Sequence, residues 1–270
     1  MKGKTKIDMK QDNKTSRMEG WKDKVLHGQY PKRTYELAVS SWDWLKTGWM
    51  KKETEGMLMA AQDQALPTKS YKVKIMKEQG SSSCRMCGQR DETIMHILSE
   101  CEKLAQREYK NRHDRVASIV HWELCKIFGF RRDNNWYDHH ADSVLENDAA
   151  KILWDFNIRT DRVIEARRPD IVVVDKKSLE TVLIDIAVPG DFRVKDKETE
   201  KIEKYQDLVI EIERMWKMKT KVVPVVVGAL GAQYRLKHWL ALLGVDKRYT
   251  IIQQTALLGS AHILRKVLSI

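Results

Sequence analysis

The spacing of apolar residues changes character along the chain. Between residues 31 and 78, Trp42, Leu45 and Trp49 recur at helical spacing, as do Met57 and Ala61, which predicts helices with one face turned inward. Leu66-Pro67-Thr68 interrupts that pattern, because proline cannot continue a helix interior. From residue 143 onward the pattern is mixed. Residues 143–155 read as a helix that Ser143 is able to cap. Residues 171–175 and 179–188 are rich in Val, Ile and Leu and read as strands. Residues 195–217 carry an apolar stripe of Ile202, Tyr205, Leu208, Val209, Ile212 and Trp216, the signature of an amphipathic helix. Residues 221–227 read as a further strand, which Pro224 assigns to a sheet edge or a bulge. Two short helices are expected to end the chain, and no internal repeat is present. The expected class is α/β (α+β), with helical segments first and a mixed sheet flanked by helices after them.

Polar stretches divide these patterns. Residues 1–30 are polar and lysine-rich (Lys2, Lys4, Lys6, Lys10, Lys14), and composition predicts a disordered basic arm. Residues 31–80 form a helical linker, closed by Gly80-Ser81-Ser82-Ser83. Residues 81–130 hold a cysteine motif and a helical stretch. Residues 131–142 are polar and irregular and mark a second boundary before residues 143–270.

Charge narrows the class of partner. The chain has 270 residues, a net charge of +11, 42% hydrophobic and 32% charged residues. Such a length and composition can build a packed core in one large or two small domains. The positive balance favours nucleic acid first and an anionic membrane second. No apolar run reaches the ~18–20 residues that a bilayer span requires, and the N-terminal residues show no apolar stretch of a secretory signal. Lys69, Lys72, Lys74 and Lys77, with Tyr71 between them, suit contact with a nucleic-acid strand. A charged helix face explains them almost as well. Arg85 and Arg168 are further candidate phosphate contacts.

Three of the four cysteines lie close together. Cys84-x2-Cys87-x8-His96-x4-Cys101 has the ligand types of a closed structural zinc site. Such grouping indicates metal binding and a reducing compartment, the nucleus or the cytosol before import, rather than a disulfide framework. Cys125 is expected in the core, and His113, His121, His139 and His140 are not expected to be ligands.

The carboxylates carry the second chemical signal. A hairpin turning between Lys177 and Ser178 places Asp170 opposite Asp185. Directly opposed side chains have Cβ atoms ~4.5–5.5 Å apart, so the two anions repel unless a cation lies between them. Mg²⁺ takes one or two carboxylates together with water and phosphate oxygens. Asp175 is expected to end its strand at the surface. Glu146, on the expected helix at 143–155, is a candidate third ligand. Lys201 and Tyr205 lie four apart and share one helical face, with Lys204 and Lys197 as alternative lysines.

Arg168-Pro169-Asp170, followed after fourteen residues by Asp185, resembles the signature of the restriction-like PD-(D/E)xK endonuclease at the C-terminus of site-specific non-LTR retrotransposon proteins. The upstream Cys-Cys-His-Cys motif and the segment from Trp44 to Thr68 resemble the same family in the same order. The resemblance implies a Mg²⁺-dependent nick in target DNA that primes reverse transcription, with target DNA and element RNA as partners, a polymerase-bearing protein as a further one, and no membrane. It implies Asp170 and Asp185 as metal ligands, with Lys201 and Tyr205 standing in for the usual lysine, whose position is Ala187 here. No Tyr/Phe-x-Asp-Asp polymerase motif occurs in these residues. The implied alternatives are a zinc-dependent nucleic-acid-binding module and an inactive remnant.

Overall fold

An unbroken apolar run can lie in a sheet only if both faces of that sheet are covered, and the central strands of this protein obey that rule. The computed structural model describes residues 6–34, 36–37 and 39–269. Residues 1–5, the start of the expected arm, lie outside the described residues. Helices α1 (Lys6–Lys22), α2 (Gln29–Arg33), α3 (Lys52–Gln62), α4 (Lys69–Lys74), α5 (Glu102–Leu104) and α6 (Lys110–Ile127) come first. Strands β1 (Val144–Glu146), β2 (Ala150–Trp154), β3 (Ile171–Asp175) and β4 (Glu180–Ala187) follow. Then come α7 (Val194–Lys204), α8 (Gln206–Trp216), β5 (Lys219–Val226), α9 (Leu236–Leu242) and α10 (Tyr249–Leu268).

The five strands form one mixed sheet in the order β1-β2-β3-β4-β5. Its first four strands are antiparallel, and β5 adds in parallel to β4. On one face, Ile171, Val173, Ile184, Ile186 and Val223 pack with Val116, Val120 and Leu124 of α6 and Leu240 of α9. On the other, Val172, Val174, Leu183 and Val222 pack with Tyr205, Leu208 and Ile212. Alternation along each strand feeds both cores, which is why the sequence shows no polar face. Pro224 lies on β5, an edge strand, where a missing N–H is tolerated.

Several elements differ from the sequence expectation. Residues 143–155 form the β1–β2 hairpin instead of a helix. Asn147 Oδ1 accepts from the N–H groups of Ala149 and Ala150 at 2.8 Å each, a local turn that helix propensity does not register. The segment expected as one helix over 195–217 is two, broken at Tyr205. Residues 6–22 are helical where composition suggested disorder, though from residue 9 to residue 20 every side chain is exposed. Residues 39–46 form a 3₁₀ segment. Its three-residue turn shifts the buried face: Trp44 is fully buried, while Trp49 beyond it is exposed. α10 is a long helix of 20 residues, not a short one.

A third core joins the N-terminal half to the sheet. Trp44, Leu58, Ile97, Leu98, Leu257, Ala261 and Leu264 share one cluster with Ala187 and Val226 at the ends of β4 and β5. Two buried charges organise it. The Arg112 guanidinium of α6 donates to Leu98 O at 2.8 Å, Val188 O at 3.1 Å and Ser260 Oγ at 2.9 Å. A Cβ at Gly259 of α10 would fall 2.6 Å from Arg112 Cγ, so that helix position requires glycine despite its cost of about 1 kcal/mol. Asp191 accepts from Leu230 N–H at 2.9 Å, Ala232 N–H at 2.9 Å and the Tyr30 hydroxyl at 3.1 Å.

Arg112→Met is expected to strand two buried carbonyls. At roughly 1–3 kcal/mol for each unsatisfied group, urea unfolding should show a loss of about 3 kcal/mol or more. Asp191 gives a pH signature. Burial raises its pKa from 3.8 to about 6, against the backbone N–H donors that lower it. A carboxyl with a raised folded-state pKa contributes fully below its unfolded value and loses that contribution as pH rises through the folded one. The stability of the protein relative to Asp191→Asn should therefore fall by roughly 3 kcal/mol between pH 4 and 7, at ~1.4 kcal/mol per pKa unit, in paired denaturant titrations.

Candidate metal centre and carboxylate cleft

The cysteine motif folds on a short paired segment. Ser83 bridges Asp91, and Cys84 N–H donates to Arg90 O at 2.7 Å. Gly88 takes φ +70°, the left-handed conformation that closes the turn between the thiols. One irregular helical turn, His96–Glu100, then presents His96, and Cys101 follows it. The four donor atoms lie within 4.8 Å of one another and could hold a metal such as zinc. Cys84 Sγ and Cys101 Sγ are 3.9 Å apart. Two sulfurs bound tetrahedrally at ~2.3 Å would be about 3.8 Å apart. Cys87 Sγ is 3.3 Å from His96 Nε2. The N–H groups of Gln89 and Arg90 hold the Cys87 thiol down at about 6, while burial pushes Cys101 up to about 11.

Glu92 secures this knuckle. It is fully buried and accepts from Arg85 Nε at 2.8 Å, Arg85 Nη2 at 2.7 Å and the N–H groups of Arg85 and Lys69 at 2.8 and 2.9 Å. Burial opposes its charge, and the Arg85 fork with those amides outweighs burial and lowers its pKa. Arg85 Nη1 also donates to Val267 O of α10 at 2.9 Å. Arg85, a candidate phosphate contact in the sequence, is thus tied into the fold through Glu92 and the Val267 carbonyl. Lys74 ion-pairs with Asp91, and Lys69 and Lys72 are half-buried on α4.

The β3–β4 register pairs Ile171 with Ile184 and Asp175 with Glu180, the register that the sequence reading assumed. One residue beyond Ile171, Asp170 accepts from Ile186 N–H at 2.6 Å, so its carboxylate is joined to the strand carrying Asp185. Asp185 points toward α7 and is almost wholly buried. Lys201 Nζ contacts its Oδ2, Lys204 Nζ lies 3.8 Å from Oδ1, and the Tyr205 hydroxyl donates to Oδ1 at 2.5 Å. Lys197 pairs instead with Glu200 at 2.6 Å. Burial first, and then the Asp185 charge, raise the Tyr205 pKa far above its ordinary value. Its hydroxyl therefore stays a donor at neutral pH.

Asp170 lines a cleft of about 360 Å³, with Lys110, His113, Asp114, Trp154, Asp155 and Arg168 around it. Arg168 donates to Asp155 Oδ2 at 2.7 Å. His113 of α6 sits 3.1 Å from Asp170 and 3.0 Å from Asp114. Burial disfavours its charge, but the two carboxylates outweigh burial and raise its pKa to about 9. Nothing in the sequence flagged His113, because 57 residues separate it from Asp170. Glu146 is not brought to this site. It pairs with Lys151 at 3.0 Å and Lys176 at 2.8 Å. The ladder from Glu146 through Lys151 to Val174 leaves it four residues along the sheet from Asp170, about 13 Å at ~3.3 Å per residue. The loss of the expected helix at 143–155 removes it.

Chelation of the knuckle metal, or Cys101→Ser, is expected to lower the thermal midpoint and release one equivalent of metal. Zinc contributes on the order of 10 kcal/mol to small structural sites, so an unchanged melt would show that the four ligands hold no metal. No protein-family model matches the chain, and no curated protein matches it.

Proposed function

We propose that the chain is a metal-dependent DNA endonuclease with a restriction-like core, from a non-LTR retrotransposon protein. The observation that carries this reading is the set of Lys201, Lys204 and Tyr205 on Asp185, with Asp170 tied to the next residue of the same strand. Two neighbouring carboxylates, joined through the backbone of one strand, form an all-oxygen donor set of the kind Mg²⁺ takes. Asp170 and Asp185 would hold that ion. When bound, it would neutralise phosphate charge and acidify a water for in-line attack.

The protein groups supply the rest. Tyr205, kept neutral, fixes the Asp185 carboxylate by donating to Oδ1. Lys201 provides a fixed positive charge where negative charge develops on the phosphorus oxygens. Arg168 and Lys110 line the cleft and attract the phosphate backbone, a contribution that weakens steeply with salt. His113 orients Asp170 from the opposite side. The knuckle would hold zinc as a structural ion, and α4 would offer Lys69, Lys72 and Lys74 to DNA or RNA. By the family resemblance, the nick would prime reverse transcription by a polymerase-bearing partner in the nucleus. Among the described residues no helix is long and apolar enough to cross a membrane.

Purified protein should nick supercoiled plasmid with Mg²⁺ and not with EDTA. Asp170→Asn and Asp185→Asn are each expected to abolish nicking, and Lys201→Ala to slow it about 100-fold, with DNA affinity retained. DNA binding without any metal-dependent nicking would instead make the chain a nucleic-acid-binding module.

A further inference from the structure

Helix α6 carries a second cluster of soft donors, remote in sequence from the knuckle. His121 and Cys125 lie one turn apart on it, both fully buried. His139 reaches them from the irregular segment before β1. His121 Nδ1 is 2.8 Å from His139 Nε2 and 3.6 Å from Cys125 Sγ. One donor atom from each residue lies within 4.8 Å of the others.

A hydrogen bond between the two imidazoles does not satisfy this cluster. Two neutral rings share one proton along that bond. If His139 donates, its Nδ1 turns a lone pair toward the Asp133 carboxylate, 3.4 Å away. If His121 donates, its Nε2 is a bare acceptor, and that atom is buried with no hydrogen-bond partner. The Cys125 thiol shares the same His121 Nδ1, at 3.6 Å. A cation at the centre changes each of these. His121 Nδ1, His139 Nε2 and the Cys125 thiolate would all face it. His139 Nδ1–H could then donate to Asp133, the carboxylate–histidine–metal arrangement common to such sites. His121 Nε2–H would remain beside the Trp154 ring, which meets the imidazole edge-on at 5.4 Å.

We propose that His121, Cys125 and His139 form a second metal site for a zinc-class divalent cation. The donor set of two imidazoles and a thiolate favours zinc over Mg²⁺ or Ca²⁺. The separation of 3.6 Å between His121 Nδ1 and Cys125 Sγ is close to the ~3.5 Å expected between nitrogen and sulfur bound tetrahedrally at ~2.0 and ~2.3 Å. The two nitrogens must part from 2.8 Å to about 3.3 Å. His139, at the end of the single 3₁₀ turn Trp136–Asp138, is placed to make that shift. The fourth position is left to a water or to Asp142, whose charge acts on both Cys125 and His139. Bound metal would fasten residues 131–142 to α6. Without it, the segment is held by Trp136 packed on the core cluster of α6, the His121–His139 contact, the Trp122 Nε1 bond to Asp133 O at 2.8 Å and the stacking of Arg132 over Trp122.

The test is zinc per chain, by elemental analysis of the full-length protein after dialysis against metal-free buffer. His139→Ala, and His139→Gln as a variant that keeps the volume, should each bind one zinc fewer than the unmodified chain, as should Cys125→Ser. Circular dichroism establishes that each variant is folded. Cobalt titration should show one cobalt–thiolate absorption band that persists in Cys84→Ser and disappears in Cys125→Ser. The same zinc content in the unmodified chain and in both folded His139 variants would overturn the proposal.

Discussion

A buried guanidinium must find acceptors wherever the fold can provide them, and Arg112 finds them on three different parts of the chain. Leu98 belongs to the knuckle, Val188 leaves β4, and Ser260 is on α10. Removing a charge from water costs several kcal/mol unless hydrogen bonds replace the lost solvent, so these three acceptors are fixed relative to one another and to α6. Burial lowers the Arg112 pKa to about 10, which leaves it charged at neutral pH and keeps the constraint in force. The next residue along α6 is His113, the partner of Asp170. Further along the same helix lie His121 and Cys125. One helix therefore carries the charge that locks the core and the side chains that meet both the cleft and the second donor cluster.

The carboxylate site shows how a break in the helix pattern serves the sheet. A single helix over 195–217 would present Tyr205 as one member of an apolar stripe. The break between α7 and α8 turns it fully into the core, with its hydroxyl on Asp185. A carboxylate this deep requires partners. Lys201, Lys204 and Tyr205 supply two cationic groups and a hydroxyl from one short stretch of chain. The half-buried counterpart, Asp170, depends instead on a backbone N–H and an imidazole. The two carboxylates thus occupy different electrostatic environments, one saturated with positive charge and one open to the cleft.

The two strands of the hairpin were legible in the sequence as apolar runs around a short polar turn, but their register was an assumption, because a run buried on both faces looks alike after a one-residue slip. Lys201 and Tyr205 were legible because four-residue spacing survives a helix break that falls after the lysine. Glu146 was misplaced because Leu145, Ala149, Ile152 and Leu153 fall at helical spacing, and an Asn147 turn decided the outcome for a hairpin. Arg85 looked like a surface cation in the sequence. Only the fold reveals Glu92 beneath it, because that contact also depends on the Lys69 amide from another element. The cysteine ligands were readable from spacing alone. The His121–Cys125 pair was equally visible as one turn of helix, but its third member, His139, comes from a segment with no periodicity to place it.

Linker, knuckle and sheet share one hydrophobic cluster, and this bears on how metal could influence the cleft. Met95, beside His96, packs its thioether directly on Gly190, where a Cβ would fall 2.4 Å from the sulfur and displace it. Gly190 directly precedes Asp191, whose carboxylate organises the turn after β5. Arg85, inside the cysteine motif, donates to the end of α10. Leu98, in the turn between His96 and Cys101, receives Arg112. Three separate ties thus run from the knuckle into the helices and strand ends around the carboxylates. A flexible linker would let the knuckle and the carboxylate cleft move independently. Close-packed ties of this kind transmit displacement instead, so the position of the knuckle and the geometry of the cleft are set together.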